Sequence, residues 1–321
     1  MTLLNKTEQE VIQNRISEET PLVSICCITY NHENYIKEAL DSLLMQKTNF
    51  SFEIIVRDDS STDKTANIIS KYVEKFPNII KPIFENENTF SKGINPMPPV
   101  LKKSRGKYIA LCEGDDYWIS EHKLQSQIDL LERNENISLV FQNAQIREFD
   151  ENEKLIDVRK HHSSITEGIV TVKQILENKI IPTSSVVFRD IKVENFIETT
   201  SSKYPVGDTA LFMYFAKFGD IYYMDEETSV YRLQSRGMVK SQLSTISKNL
   251  EFIPYYKDLK KEFSEFELDD LIDKLILIRY EKIIKLYVKD KSYINMVKYA
   301  FILFKLDPKY FVSFLAKYIK Y

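Results

Sequence analysis

The sequence predicts an α/β fold, with a mostly parallel sheet flanked by helices and a C-terminal helical extension. Short apolar runs alternate with helical patterns from Pro21 onward, an order that favours parallel strands joined by helices. Polar residues stand where several of these runs end, as they do at the ligand-binding edge of such sheets. We therefore expect a polar N-terminal arm over residues 1–20, an α/β domain over 21–245 and a wholly helical region over 246–321.

Four apolar runs in the first half of the chain are typical of buried strands. They are Leu22–Thr29, Glu53–Arg57, Ile79–Phe84 and a run that begins at Tyr108. Helical periodicity follows the first run at Glu33–Met45. Ser60–Asp63 offers good N-caps for a second helix after the second run, so the domain begins with a βαβα order.

The second half of the chain is less regular. The pattern predicts a polar loop through His161 and His162, with both side chains in solvent. A helix is expected to begin at Asp208. Further strands are predicted at Ser138–Phe141, Thr183–Phe188, Ile221–Met224 and Val230–Leu233.

Composition argues against several classes of partner and site. The chain has 321 residues, of which 43% are hydrophobic and 28% charged, as in an ordinary globular protein. A formal net charge of −3 provides no general attraction for nucleic acid. The three cysteines, Cys26, Cys27 and Cys112, lie in apolar runs and are expected to be buried, so neither a disulfide framework nor a zinc site is implied.

Three acids cluster directly after the Tyr108 run. Glu113, Asp115 and Asp116 fall within four residues, and carboxylates so close together repel one another. Hard oxygen ligands of this kind suit Mg²⁺ or Mn²⁺, and such a cation can in turn hold a diphosphate. The cluster therefore predicts a metal site for a nucleotide-type ligand.

Two other polar segments are expected beside this cluster. Thr29-Tyr30-Asn31 ends the first predicted strand, and Asp58-Asp59 ends the second. The carboxyl ends of parallel strands meet at one edge of a sheet, so residues distant in sequence should converge on one crevice there.

These segments resemble glycosyltransferase family 2, a large group of inverting, nucleotide-sugar-dependent enzymes with a GT-A fold. The resemblance covers roughly residues 21–240. It is carried by four ordered motifs: Val23-Ser24-Ile25 leading to Thr29-Tyr30-Asn31, Ile54-Ile55-Val56 leading to Asp58-Asp59-Ser60-Ser61-Thr62-Asp63, Arg105-Gly106-Lys107-Tyr108-Ile109, and the acidic cluster.

The resemblance implies roles for the donor and metal sites. The segment Thr29, Tyr30, Asn31 would hold the base and ribose, with Asp58 and Asp59 beside them and Asp59 contacting the base. Asp116 would be the principal ligand of Mn²⁺ or Mg²⁺, and Asp115 would lie near the ribose and metal. Glu113 stands where the family more often has Asp, which leaves its own ligation open.

The resemblance also implies a catalytic base. Asp208 corresponds to the family's acid at a helix start, which takes the proton of the acceptor hydroxyl; helix capping is the alternative role. Arg232, in Val230-Tyr231-Arg232, would be a donor-binding residue. Many relatives carry a His downstream, whereas Gln234 stands here, so Arg236 or Lys240 would supply the donor-binding cation of that loop; a charged surface loop is the alternative.

Trp118 directly follows the acids. It is predicted either to stack against a sugar ring or acceptor, or to pack in the core. His32 adjoins the nucleotide loop and is expected at the surface or against the ligand.

The resemblance implies a metal-dependent transferase that moves a sugar from a nucleoside-diphosphate donor, with a UDP-sugar favoured. The acceptor would be a glycan or lipid-linked hydroxyl in a bacterial surface glycan of capsule or O-antigen type. Alternatives are a catalytically inactive nucleotide-binding or assembly protein of the same fold, or a nucleotidyltransferase. A nucleotidyltransferase would be expected to have a Gly-rich phosphate-binding loop near the N-terminus, and this sequence has no such loop there. A phospho-acceptor receiver domain would explain Asp58-Asp59 but leaves the other acids without a role.

The expected location is the cytoplasm. The N-terminal residues lack the apolar core of a signal peptide, and no run approaches the ~18 apolar residues of a membrane-spanning helix. Asn295–Tyr321 contains aromatic residues and five lysines against the single acid Asp307. Such a segment can lie on an anionic membrane at its inner face; a packing or dimerisation role is the alternative.

Overall fold

The computed structural model describes residues 7–12, 20–178, 181–191, 193–199, 207–234 and 245–318. The chain divides into two compact units, Met1–Gln234 and Ser235–Tyr321. Within the described residues, the first unit contains one mixed sheet of ten strands with flanking helices, and the second unit is helical.

The first half of the sheet follows the predicted alternation. Its strands are β1 (Val23–Thr29), β2 (Phe52–Asp58), β3 (Ile80–Phe84), β4 (Tyr108–Leu111) and β5 (Tyr117–Trp118). The helices are α1 (Glu8–Ile12), α2 (Ile36–Leu44), α3 (Thr65–Lys75), α4 (Met97–Lys103) and α5 (Lys123–Arg133).

The second half of the unit completes the sheet. Its strands are β6 (Ile137–Phe149), β7 (Leu155–Lys160), β8 (Gly168–Val170), β9 (Val187–Arg189) and β10 (Asp220–Leu233). Its helices are α6 (Val172–Asn178), α7 (Val193–Thr199) and α8 (Gly207–Phe215).

The strand order is β3-β2-β1-β4-β9-β6-β10-β5, with β7 on β6 and β8 on β10. Strands β1, β2, β3 and β4 pair in parallel, as β6 and β10 do, whereas β5, β7, β8 and β9 pair antiparallel to their neighbours. The predicted α/β architecture is therefore confirmed, with a parallel part formed by β1 to β4 and antiparallel pairing at β5, β7, β8 and β9.

The central strands are buried on both faces, which explains why their sequences are continuous apolar runs. Every residue of β2 is buried. Leu40 and Leu43 of α2 pack in the same core as Ile25 and Ile54 of the sheet. The apolar stripe of the helix thus determines which of its faces meets the sheet.

Gly106 belongs to the predicted Arg105-Gly106-Lys107 turn, and its role is close approach. A Cβ at Gly106 would lie 2.5 Å from the backbone nitrogen of Ser24. The hydroxyl of Ser24 accepts hydrogen bonds from the backbone N–H groups of Arg105 and Gly106, at 3.0 and 2.9 Å. The turn therefore locks the start of β4 against β1.

Three elements differ from the sequence prediction. The strand predicted at Thr183–Phe188 is a 3-10 helix, Thr183–Ser185, followed by the short strand β9. The strand predicted at Ser138–Phe141 is the long β6, which forms a hairpin with β7 where a loop was expected. The two strands predicted at Ile221–Met224 and Val230–Leu233 are one strand, β10. Its pairing with β6 shifts register between Met224 and Glu227, so the polar residues between the two predicted strands occupy an irregularity and not a turn.

The second unit contains four described α-helices: α9 (Ile246–Glu262), α10 (Asp269–Lys289), α11 (Tyr293–Leu306) and α12 (Pro308–Tyr318). A small core unites the last three, with Ile284, Leu303 and Phe314 at its centre. Among the described helices, none has the length and apolar character needed to cross a membrane.

Candidate active site

The candidate site lies where β1, β2 and β4 end. Thr29, the last residue of β1, pairs in register with Asp58, the last residue of β2. The segment after β4 returns to the same place, because the N–H of Gly114 donates to the carbonyl of Ile28 at 2.9 Å. The predicted convergence of the three polar segments is therefore observed.

Gly114 allows the acidic segment to lie directly on β1. A Cβ at this position would come within 2.7 Å of both Cβ and Oγ1 of Thr29, and 3.1 Å from Nδ1 of His32. Only glycine fits there without displacing the end of the strand.

Asp116 lies deepest in the acidic cluster, with 2% of its surface exposed. Its Oδ1 accepts a hydrogen bond of 3.0 Å from the backbone N–H of Arg232. Its Oδ2 is buried without a hydrogen bond of normal length from a described residue, and the Ser184 side chain is near enough only to oppose part of the rise in the pKa of Asp116. Burial first, and then the charges of Asp115 and Glu113, raise the pKa of Asp116 well above its usual range.

The pKa of Glu113 is raised for the same reasons. Burial, followed by the charges of Asp115 and Asp208, raises the pKa of Glu113 to about 8. Asp115 is more open, and its Oδ2 lies 3.9 Å from Nε2 of His32. Burial and repulsion together make this cluster a place where bringing in positive charge is favourable.

The cluster has the chemistry of a divalent-cation site but not a complete ligand shell. In the described parts of the chain, no three His, Cys, Asp or Glu side chains are arranged to hold a metal ion. Mg²⁺ in nucleotide sites is commonly held by one or two carboxylates, with substrate phosphates and waters supplying the rest. The unpartnered Oδ2 of Asp116 fits the role of such a ligand.

Asp208 is near enough to share this electrostatic environment. It lies in the first turn of α8, and its Oδ1 accepts a 2.6 Å hydrogen bond from the N–H of Thr209. Burial raises the pKa of Tyr231, and the charges of Asp116, Glu113, Asp115 and Asp208 raise it further. The charges of the predicted base and of the predicted metal ligands therefore all raise the pKa of the same side chain, Tyr231.

The loop after β1, the predicted nucleotide loop, is held by the segment after β2. Asn31 has a positive φ of 54°, and its Oδ1 accepts a 2.8 Å hydrogen bond from the N–H of Thr62. Its own N–H donates to the Ser61 hydroxyl at 2.9 Å. Tyr30 beside it is 39% exposed, so its ring is open to solvent and to a ligand.

Asp58 and Asp59 are both buried, but they do different things. Asp58 accepts hydrogen bonds from the N–H and the hydroxyl of Ser61, which closes the turn after β2. Asp59 accepts from the guanidinium of Arg57 at 2.8 Å and from the hydroxyl of Thr89 at 2.7 Å. Its second oxygen accepts from the N–H of Phe90 at 2.9 Å.

These bonds keep Asp59 charged. Burial favours its neutral form, but the hydrogen bonds from Phe90 and Thr89 and the charge of Arg57 outweigh burial and lower its pKa. Both carboxylate oxygens of Asp59 already accept hydrogen bonds within the protein. The predicted contact with the nucleotide base would therefore have to share or replace those hydrogen bonds. Sequence reasoning missed Thr89 and Phe90, which lie in the irregular segment before α4.

Arg232 is held at the end of β10 by aromatic rings. Its guanidinium carbon lies 4.5 Å from the ring centre of Tyr117 and 5.2 Å from that of Tyr35. It forms an ion pair with Glu38, and its buried Nε has no hydrogen-bond partner among the described residues. Arg147, which the sequence did not single out, donates to the Tyr117 hydroxyl at 2.6 Å. Arg236 and Lys240, the other predicted donor-binding cations, lie outside the described residues.

Trp118 is a core residue. Its side chain is 1% exposed, its indole N–H donates to the Ser184 carbonyl at 2.7 Å, and Nζ of Lys123 lies 4.3 Å from its ring centre. Since its surface is covered by protein, the ring offers no face to a sugar. The structure corrects the stacking prediction in favour of core packing.

His161 and His162 are not in open solvent, contrary to the prediction. Both are partly buried, and their Nδ1 atoms lie 3.0 Å apart. The ring of His162 packs against those of Phe141 and Tyr223. Burial, and then the neighbouring His162, lower the pKa of His161 to about 4, so it is neutral at pH 7.

A sequence profile described as glycosyl transferase family 2 matches residues 24–192, which contain all the strand-end motifs of the site. An uncharacterized protein of Mycobacterium tuberculosis (strain ATCC 25618 / H37Rv) is 34% identical over 217 residues, which is 67% of this chain and 60% of that protein. The chain thus spans about three fifths of the length of its mycobacterial relatives.

A second relative has a descriptive name. It is the UDP-Glc:alpha-D-GlcNAc-diphosphoundecaprenol beta-1,3-glucosyltransferase WfaP of Escherichia coli, 38% identical over 112 residues, 35% of this chain and 41% of that protein. Among solved structures, S. aureus TarS 1-349 in complex with UDP-GlcNAc has a TM-score of 0.61. The superposition covers 91% of this chain and 83% of TarS 1-349, at 19% identity, and shows a shared GT-A fold. This chain belongs to glycosyltransferase family 2.

Proposed function

We propose that this protein is an inverting glycosyltransferase that moves one sugar from a nucleoside-diphosphate donor to a hydroxyl of a bacterial surface glycan. The observation that carries the proposal is the convergence of the ends of β1, β2 and β4 on a buried acidic cluster, in a chain that belongs to glycosyltransferase family 2. A single displacement needs a base on one side of the sugar and a charge-stabilised leaving group on the other.

Asp208 is the proposed base. Its carboxylate takes the proton of the acceptor hydroxyl while the acceptor oxygen forms a bond to the anomeric carbon of the sugar. The bond from that carbon to the diphosphate oxygen breaks on the opposite face, and the electron pair leaves with the nucleoside diphosphate. This geometry inverts the anomeric centre and needs no covalent enzyme intermediate.

Asp116 is the proposed principal ligand of Mn²⁺ or Mg²⁺, with Asp115 beside it and Glu113 as a further candidate. When bound, the cation would offset negative charge on the departing diphosphate. Within the protein, the role of Asp116 is to present a desolvated oxygen, Oδ2, which has no hydrogen bond of normal length from the described residues.

The donor is proposed to lie along the β1 and β2 loops, with Thr29, Tyr30, Asn31, Asp58 and Asp59 around the base and ribose and Arg232 and Arg236 toward the phosphates. A UDP-sugar is favoured, supported by the UDP-Glc in the name of the E. coli relative and the UDP-GlcNAc bound to S. aureus TarS. The name of the E. coli relative includes a diphosphoundecaprenol acceptor, which supports a lipid-linked or capsule-type acceptor here. We place the reaction in the cytoplasm, at the inner face of the membrane.

The substitution Asp208→Asn tests the assignment of the base. It keeps the size of the side chain and removes its basicity, so turnover should fall about 10²- to 10⁴-fold while nucleotide binding is retained. Turnover is measured as release of nucleoside diphosphate from the donor, and binding by titration calorimetry. The matched control is Asp269→Asn, another acid in the first turn of a helix, which should leave both unchanged.

If Asp208 only caps α8, Asp208→Asn would lower the unfolding midpoint and leave turnover of the folded protein intact. A protein that binds nucleotide but has no turnover in either form would instead be an inactive member of the family.

A further inference from the structure

Helix α11 of the second unit has two apolar faces. One face packs inward, with Leu303 fully buried and Met296 and Ala300 packed beside it against Ile284 and Phe314. A helix at the surface of a protein normally turns polar residues outward on its other side. In α11 the other side is apolar as well.

The outward side chains share one stripe along the helix. Their positions recur at intervals of three and four residues, which places them on a single face. The exposed fractions are large: Tyr293 60%, Ile294 88%, Val297 60%, Phe301 56% and Phe304 44%. On α12, Val312 is 61% exposed. We call these six residues the C-terminal apolar face.

The two helices that carry this face have charged residues of one sign, and the acid between them, Asp307, is half-buried and accepts a hydrogen bond from the N–H of Tyr310. Helices α11 and α12 contain no Asp or Glu, and they carry Lys298, Lys305, Lys309 and Lys317. Nζ of Lys305 lies 4.5 Å from the ring centre of Phe301, so this ammonium group lies at the border of the apolar stripe. Helices α9 and α10, in the same unit, carry acids and bases alike.

This charge pattern favours an anionic lipid surface over a second copy of the chain as the partner of the C-terminal apolar face. If a second copy covered the face in a symmetric dimer, the lysines of both copies would be brought together with no carboxylate on these helices to offset them. An anionic lipid surface would accept the apolar side chains among its acyl chains and pair the lysines with its phosphates.

We propose that the C-terminal apolar face lies in the interfacial layer of an anionic lipid bilayer and holds the protein on the membrane surface. The proposal does not depend on the transfer reaction.

The test is sedimentation of the full chain with vesicles of phosphatidylcholine alone or phosphatidylcholine mixed with phosphatidylglycerol. The protein should bind the mixed vesicles and lose that binding at high salt. The double variant Ile294→Ser, Phe301→Ser should bind at least tenfold more weakly, and Lys298→Gln, Lys305→Gln about 25-fold more weakly, at about fivefold for each charge removed.

Ile169→Ser, at a 62% exposed residue of β8, is the matched control and should bind like the wild type. All variants remove exposed side chains, so their unfolding midpoints should match that of the wild type. The proposal is overturned if the wild type ignores anionic vesicles or if the α11 variants bind them normally. It is also overturned if analytical ultracentrifugation shows a dimer that the Ile294→Ser, Phe301→Ser variant dissociates. Nucleotide binding by the same variants should stay normal, so either proposal can fail independently of the other.

Discussion

Asp59 and Asp116 lie at the same edge of the sheet and are equally buried, but their surroundings shift their pKa values in opposite directions. Each is 2% exposed. Asp59 accepts hydrogen bonds from Arg57, Thr89 and Phe90, and its pKa is lowered. Among the described residues, Asp116 accepts a backbone hydrogen bond from Arg232, its other neighbours include acids, and its pKa is raised.

The difference shows that burial alone does not assign a role to a carboxylate. Asp59 carries a charge whose partner is built into the fold, so it organises the loop after β3. The charged form of Asp116 is disfavoured within the protein, so a cation that stabilises it must come from outside. We infer that the first segment shapes the nucleotide pocket and that the second awaits a cation with its diphosphate.

The largest expected effect on stability comes from a substitution at Asp59, in the segment after β2. Asp59→Asn removes the buried carboxylate beside the guanidinium of Arg57, which is 1% exposed and keeps only its ion pair with Glu85. The free energy of unfolding should fall by about 2 kcal/mol, the contribution of a hydrogen bond to a charged group. Urea unfolding followed by circular dichroism measures this change.

The chain provides a matched control for this substitution. Asp157 and Arg159 form an ion pair with the same two-residue spacing on the exposed strand β7. Asp157→Asn should change the free energy of unfolding by less than about 1 kcal/mol. Equal effects at the two sites would mean that Asp59 is not the buried anchor described above.

The pH dependence of stability should follow the same carboxylate. The folded-state pKa of Asp59 is lowered from 3.8. Its contribution is therefore complete above that unfolded value and is lost as pH falls through the lower folded pKa. Between pH 5 and pH 2 the wild type should therefore lose more stability than Asp59→Asn. Parallel acid-unfolding curves for the two proteins would contradict this.

The smallest stability effect should have the opposite sign. Asp116→Asn removes a buried like charge, so the free energy of unfolding without divalent cations should rise by about 1 kcal/mol at pH 7. The measurement is urea unfolding in the presence of a chelator. A loss of stability comparable to that of Asp59→Asn would show that Asp116 is structurally paired.

Sequence reasoning placed the strand-end motifs because their signals are local. Thr29 and Asp58 end runs that are buried on both faces, and parallel pairing then brings them together. The irregular segment containing Thr89 has no period that could reveal its contact with Asp59. The packing of Trp118 under Lys123 and beside Ser184 depends on tertiary contacts, which the local sequence does not encode.

The second half of the sheet was harder to predict for a related reason. The hairpin of β6 and β7 extends a strand through polar residues, and every residue of β7 is exposed, so no alternation of buried and exposed positions marks it. His161 and His162 follow this hairpin and are partly buried by tertiary contacts. The ring of His162 packs on Phe141 and Tyr223, and that of His161 on His162 and Tyr231. Polarity alone therefore predicted a solvent loop.

The central claim is that Asp116 holds a cation and the cation holds a nucleotide. The most direct test is thermal unfolding with Mn²⁺ and, in turn, UDP, GDP, dTDP or CMP, for the wild type, Asp116→Ala and the control Asp157→Ala. A nucleotide at about 100 times its Kd adds about 2.7 kcal/mol of stability. We predict a metal-dependent shift with one nucleotide, UDP favoured, in the wild type and the control but not in Asp116→Ala. A shift that persists in Asp116→Ala, or no shift with any nucleotide, would contradict the account.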